Sequence, residues 1–181
     1  MLQPKTELES FYANRDPWGY EGNPDDARRQ AELLGILPRQ RVRRTLDIGC
    51  GDGFVTFSLP GEEVVGVDIS DNAIQHASNA AAHHPEPGRF SFRTGSIFDL
   101  DEHFPPGHFD LIVITGVLYP QYIGQAKQAV RLKVDQLLAE GGSLVCCHID
   151  AWYQPFFWFN RIDQTMYPYR GYTHLLEVYR K

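Results

Sequence analysis

The sequence predicts an α/β fold in which a mostly parallel sheet lies between helices, and three observations predict it. Short runs that are apolar on both faces recur at residues 44–48, 64–68 and 110–115, the pattern of strands covered by helices above and below. Between them stand segments of helical period, most clearly residues 121–140, where Ile123, Ala126, Val130, Val134, Leu137 and Leu138 form one stripe. A glycine-rich turn, Gly49, Gly51 and Gly53, leaves the first strand and opens the next segment. Strand and helix in alternation call for a parallel sheet with helices on both faces.

The N-terminal residues 1–22 hold Phe11, Tyr12, Trp18 and Tyr20, too aromatic for a free tail and too broken by Pro17 and Gly19 for a long helix. We read them as a segment folded over the body as a lid, or as rings covering the edge of the core. At Asn23 the signals turn helical: an Asn cap, Pro24 at the first position, Asp25 and Asp26 in the first turn, then Ala27, Ala31, Leu33 and Leu34 before Gly35. After the glycine turn, residues 54–59 read as a short helix stopped by Pro60-Gly61. Ser70 caps a helix over residues 71–82, and residues 90–94 alternate as a third strand. Gly141-Gly142 stops the long helix before a fifth strand at 143–149, and residues 174–179 alternate as the last strand.

Composition sets the class. With 181 residues the chain is read as one domain, and 43% hydrophobic with 22% charged residues is globular composition. A net charge of −6 argues against electrostatic nucleic-acid binding. No apolar run approaches a membrane span and no signal peptide is seen, while three cysteines make no disulfide framework; a reduced, cytoplasmic setting is expected. His76, His83 and His84 invite a metal reading, but no carboxylate or cysteine stands at suitable spacing. Imidazoles near a helix C-terminus are favoured by the dipole in any case. No metal is expected.

The glycine turn carries the functional signal. Asp47, Gly49, Gly51 and Gly53 alternate, and Phe54 stands where a dinucleotide fingerprint needs its third glycine. A carboxylate beside the turn would repel a pyrophosphate but accepts hydrogen bonds from a polar, cationic ligand. Asp68 closes the second strand, where ligands gather beyond strand ends at the topological switch point, and is placed to bind a ribose hydroxyl pair. That role is shared with dinucleotide proteins, so Asp68 speaks for adenosine and does not choose the cofactor.

These residues are similar to those of the class I S-adenosylmethionine-dependent methyltransferases. Residues 46–53 resemble motif I, 65–70 the acid motif of the second strand, 95–100 the segment that holds the adenine, 109–119 the fourth-strand motif and 138–144 the entry to the fifth strand. Asp16-Pro-Trp18 and Leu118-Tyr119 look like the NodS-like group, which methylates an amino sugar nitrogen. The resemblance implies a Rossmann-like three-layer sandwich whose last strand is antiparallel, with S-adenosyl-L-methionine as cofactor. It also implies a binding set of Asp47, Gly49, Cys50 and Gly51 at the turn, Asp68 and Ile69 at the second strand, Ser96 and Ile97 around the adenine, and Thr115 and Gly116 at the methionine end. Ser96 departs from the usual aspartate; its hydroxyl can accept the adenine amino hydrogen, or Asp99 can serve.

Too little chain remains after the fifth strand for a large helix and a long hairpin. The C-terminal end is therefore expected to be reduced, with residues 152–158 as a short helix or loop and the sixth strand shortened or missing. The aromatic cap at 151–172 and the N-terminal segment suit either a lid or the interface of a homodimer. Methyl transfer needs chiefly alignment and exclusion of water, and an amine acceptor needs no dedicated base; for an alcohol, Tyr119 and His148 are the leading catalytic candidates, beside Tyr122 and Asp150. His148 reads equally as a core-edge histidine bonded to backbone, and Tyr119 as packing. The expected function is methylation of N or O on a small-molecule acceptor such as an amino sugar. The rivals are a non-catalytic adenosine-binding scaffold and an NAD-dependent enzyme.

Overall fold

The computed structural model describes residues 3–181. After a two-turn helix α1 (Lys5–Phe11) and helix α2 (Pro24–Ile36), a seven-stranded sheet is laid down in the order β3-β2-β1-β4-β5-β7-β6. Its strands are β1 (Arg44–Ile48), β2 (Glu63–Asp68), β3 (Phe90–Thr94), β4 (Phe109–Thr115), β5 (Leu138–Ile149), β6 (Asn160–Tyr169) and β7 (Tyr172–Arg180). Helix α3 (Asp71–Ala82) links β2 to β3, and α4 (Pro120–Ile123) with α5 (Lys127–Leu137) links β4 to β5. All strand pairs are parallel except those of β7, which runs antiparallel to both β5 and β6. The expected architecture is present, with the switch of connection direction between β1 and β4.

Local chemistry explains the starts of two helices. The Asn23 side chain accepts from the Asp25 amide with Pro24 at the first position of α2, and the Ser70 hydroxyl accepts from the Ala73 amide at the start of α3. In β4, Leu111 and Val113 pack into one core layer while Ile112 and Ile114 pack into the other, so the strand is buried on both faces. β7 repeats this: Leu176 and Val178 face one layer, Leu175 and Tyr179 the other.

Three expectations are corrected. The sixth strand is neither shortened nor missing: β6 has ten residues and pairs along its length with β7 through a two-residue turn at Arg170-Gly171. What the C-terminal end omits is a helix between β5 and β6, replaced by a single turn at Asp150–Trp152 and a loop to Phe159. Saving that helix leaves enough chain for the whole hairpin. The helix expected at 54–59 is only a 3-10 turn, Thr56–Ser58. The helix expected at 121–140 is broken at Gly124, where φ is +54°, and ends at Leu137; Gly141-Gly142 lie inside β5 rather than ahead of it. The N-terminal segment, whose first two residues lie outside the described residues, contains the helix α1 that its Pro and Gly content argued against only further along. Among the described residues no helix is long and apolar enough to cross a membrane.

Candidate functional site

Beyond the carboxyl ends of β1, β2, β4 and β5 opens a cavity of about 500 Å³, within the usual range for small-molecule sites. Its floor is the turn after β1. Gly49 has φ +78°, and a Cβ there would stand 2.1 Å from a Val117 methyl; at Gly51, with φ +54°, it would stand 2.7 Å from the Tyr12 hydroxyl. Both are positions where a side chain is excluded by conformation and by space. The amides of Gly49 and Cys50 donate to the Val67 carbonyl at 2.7 and 3.1 Å, which ties the turn to the end of β2.

Two carboxylates flank this turn. Asp47 is 1% exposed; its Oδ2 accepts the Thr56 hydroxyl at 2.7 Å, while its buried Oδ1 has no protein partner. Burial pushes its carboxyl up to about 6, with the Thr56 hydrogen bond and the Arg29 charge acting the other way. Asp68 accepts from the Gly51 amide on Oδ2 and from the Ser70 amide on Oδ1, each at 3.0 Å. Burial again raises its carboxyl, and these backbone bonds partly offset it. An oxygen accepting one amide retains a lone pair for a ligand hydroxyl.

The other residues singled out from the sequence fall into two groups. Cys50, Ile69, Ser96, Ile97, Thr115 and Gly116 all line the cavity with the turn and the two acids. Ser96 Oγ accepts the Phe98 amide at 3.3 Å, and the Ser96 amide donates to Asp99 Oδ1 at 2.9 Å. Asp99 is thus turned into its own loop and does not line the cavity. Tyr119 lines it, its oxygen accepting the Ile149 amide at 2.7 Å, and burial pushes its phenol up to about 12. The phenolic proton stays on and is free to donate. His148 does not line the cavity: it is 0% exposed, Nε2 accepts the Leu118 amide at 3.1 Å, and its ring stacks on Tyr153. Burial pushes it down to about 3, so it is neutral. The alternation of β5 decides this, since Cys147 and Ile149 take the cavity side of the strand end and His148 points into the core.

The cavity residues not foreseen as site residues include Arg29, Arg170 and His174. Arg29 lies near the Tyr20 and Tyr169 rings at 5.4 and 5.5 Å and makes no ion pair among the described residues. A signal for it was present. Asp26, Arg29 and Leu33 follow helical spacing, and Asp26 and Leu33 are fully buried, which puts Arg29 on the inward stripe of α2. Arg170 and His174 carried no such signal, because they reach the cavity only once the hairpin is folded against β5.

Residues 41–170 match the model of a family described as a methyltransferase domain. Among curated proteins the chain is 30% identical over 136 residues to Nodulation protein S of Rhizobium tropici, covering 72% of the chain and 53% of that protein. It is 28% identical over 138 residues to Probable thiol methyltransferase 2 of Arabidopsis thaliana, covering 75% of the chain and 58% of that protein. The chain thus spans somewhat over half the length of these curated relatives. The crystal structure of N-methyltransferase NodS from Bradyrhizobium japonicum WM9 with S-adenosyl-L-homocysteine superposes with a TM-score of 0.77 at 24% identity, covering 98% of this chain and 97% of that one. That likeness is one of fold. With a family model matched from ahead of β1 to the tip of the β6–β7 hairpin, and the glycine turn and paired acids on its strand ends, the chain belongs to the methyltransferase-domain family.

Proposed function

We propose that the cavity holds S-adenosylmethionine and that the protein methylates a nitrogen or oxygen of a small molecule. One observation carries the reading: across the glycine turn, a buried carboxylate oxygen with no partner, Asp47 Oδ1, shares a cavity with a guanidinium, that of Arg29, which has no counter-ion among the described residues. An amino acid tail presents an ammonium and a carboxylate, the complement of that pair. Asp68 would take the ribose hydroxyls, Ser96 and Ile97 would border the adenine, and Gly49, Cys50 and Gly51 would give it backbone at close range. Thr115 and Gly116 would line the methionine end. When bound, the cofactor supplies an electrophilic methyl on a sulfonium.

The chain's own part is alignment and exclusion of water. Leu8, Tyr12, Trp18 and Tyr20 of the N-terminal segment line the cavity, which supports reading residues 1–22 as a lid. Trp18 is tied within the segment by its indole donating to the Tyr12 hydroxyl at 3.1 Å and to the body by its carbonyl accepting from Arg170 at 2.8 Å. Tyr119, with its proton free to donate, would position the acceptor. The cavity's size favours a small acceptor, as do the curated relatives: one is named a nodulation protein, the other a thiol methyltransferase. Calorimetry with S-adenosylmethionine, S-adenosylhomocysteine and NAD tests the reading. Binding of the first two without NAD is expected; NAD binding alone, or no binding by any of the three, would overturn it.

A further inference from the structure

The sheet order sorts the cavity's charges. Across β2 and β1 lie the three acids that line it, Asp47, Asp52 and Asp68. Across β5, β7 and the β6–β7 turn lie Cys147, His174, Tyr169 and Arg170, with Arg29 leaning in from α2. Among the described residues, no carboxylate lines the cavity on this second side.

The one acid close behind it is already committed. Asp26 is fully buried, accepts Arg170 Nη2 on Oδ2 at 2.7 Å and takes the Tyr169 hydroxyl on Oδ1. Arg170 therefore has its charge offset, while Arg29 makes no ion pair among the described residues and shares its field with Asp47 across the cavity. His174 is 9% exposed; its Nδ1 approaches the Cys147 sulfur at 4.0 Å, and among the described residues no protein group pairs with its Nε2. Burial, with Arg29 nearby, pushes it down to about 4, so at neutral pH it adds a neutral hydrogen-bonding edge. At the rim, Trp152 and Tyr172 pack with ring centroids 5.0 Å apart and planes tilted by 60°, and stay about half exposed, offering an angled aromatic wall.

A cationic acceptor entering here would be desolvated beside a guanidinium with no carboxylate to receive it, an arrangement that selects against it. An anionic or neutral acceptor with an aromatic face meets the opposite situation. Even where Arg29 engages the cofactor's carboxylate, the pair is neutral and still supplies no site for a cation.

We infer that the acceptor is a neutral or anionic aromatic molecule, carrying an acidic hydroxyl or a carboxylate, and not a protonated amine. This inference rests on the methyltransferase reading and names the acceptor class for the same site. It runs against the amino sugar suggested by the NodS-like residues, whose nitrogen is protonated in solution.

Binding decides it without knowledge of the natural acceptor. Protein saturated with S-adenosylhomocysteine is titrated with 3-(4-hydroxyphenyl)propionate, phenol, tyramine and glucosamine, read by quenching of tryptophan fluorescence. The propionate is expected to bind at least tenfold more tightly than tyramine, its cationic counterpart of similar shape, with phenol between. His174→Gln, which keeps a neutral polar edge, should preserve that order, whereas His174→Glu should reverse it by placing a carboxylate where none stands. Tighter binding of tyramine or glucosamine would overturn the inference, as would failure of both the propionate and phenol to bind at millimolar concentration. Failure of S-adenosylhomocysteine itself to bind would instead overturn the methyltransferase reading, so the two failures are told apart.

Discussion

The two ends of the cavity are built in different ways. At the β1–β2 end, eleven consecutive positions from Thr45 to Val55 supply a strand tip, a turn and most of the ligand-facing groups, and Asp68 comes from the next strand. At the β5–β7 end, Arg29, Cys147, Arg170 and His174 come from four separate elements, and the chain between the first and last of them spans most of the molecule. The first end depends on local backbone geometry, where one wrong atom is felt at once. The second depends on packing among elements, where the effect of one side chain is spread over several contacts and is smaller.

The largest effect is expected where local geometry is strictest. Gly49→Ala puts a methyl 2.1 Å from the Val117 side chain at a φ of +78°, combining overpacking with left-handed strain. It should lower stability by about 2–5 kcal/mol, read as a fall in the urea midpoint. A loss under about 1 kcal/mol would show the turn to be more pliable than described.

Next comes Asp47. Asp47→Ala removes the unpartnered oxygen facing the cavity and should weaken S-adenosylmethionine binding on the order of 100-fold, about 2.8 kcal/mol, by calorimetry; unchanged affinity would remove the carboxylate from the site. Its ionisation gives a separate signature. The folded-state pKa of about 6 lies above the ordinary value of 3.8, so the contribution of this group to stability is present below about 3.8 and lost as pH rises through about 6. Asp47→Asn should therefore stabilise the ligand-free protein at about pH 7.5 by up to about 3 kcal/mol and not at about pH 3.5. Cofactor affinity of the unmodified protein should drop as pH falls below about 6, and the Asn variant should lose that dependence. Opposite signs in stability and binding would mark the residue as one kept for function at the expense of the fold.

His148 and Arg170 test the other end. His148→Ala removes the acceptor of a buried amide and should cost about 1–3 kcal/mol while leaving cofactor affinity within about twofold, since the ring does not reach the cavity. His148 is held neutral with its pKa lowered from 6.5 to about 3. The stability linked to it is present above 6.5 and lost as pH falls toward 3, and His148→Phe should flatten that acid limb. The smallest effect is expected of Arg170→Lys, which keeps a cation beside the fully buried Asp26 carboxylate but gives up the planar fork that reaches both it and the Trp18 carbonyl. Stability should change by about 1 kcal/mol or less, yet amide exchange in residues 16–22 should quicken as the tie to the Trp18 carbonyl goes. A cost matching that of Gly49→Ala would erase the distinction between the two ends.

Legibility in the sequence followed the same division. Asp47, Asp68 and the glycines could be placed because a strand tip, a turn and a cap are properties of a few adjacent residues, and the structure puts Asp47, Asp68, Gly49 and Gly51 at the cavity and Gly53 against the Phe57 ring. Ser96, Ile97, Thr115 and Gly116 came by resemblance and line the cavity too. His148 and His174 show where such reading stops. Both stand at ends of strands with apolar neighbours, and the choice between them turned on which face of β5 and β7 looks toward the cavity, a matter of register and twist. The sixth strand was misjudged for a related reason: chain length was weighed against a helix that the fold leaves out.

By itself, then, the amino-acid order determined the layered α/β class, the turn after β1 and the acids beside it, since backbone conformation and burial period are encoded within a few residues. Tertiary structure alone decided that an inward-facing arginine of α2, a histidine of β7 and an arginine at the hairpin tip share one cavity wall. Their side chains lie up to 145 positions apart from Arg29 to His174, and only the antiparallel insertion of β7 between β5 and β6 brings them within reach of one ligand.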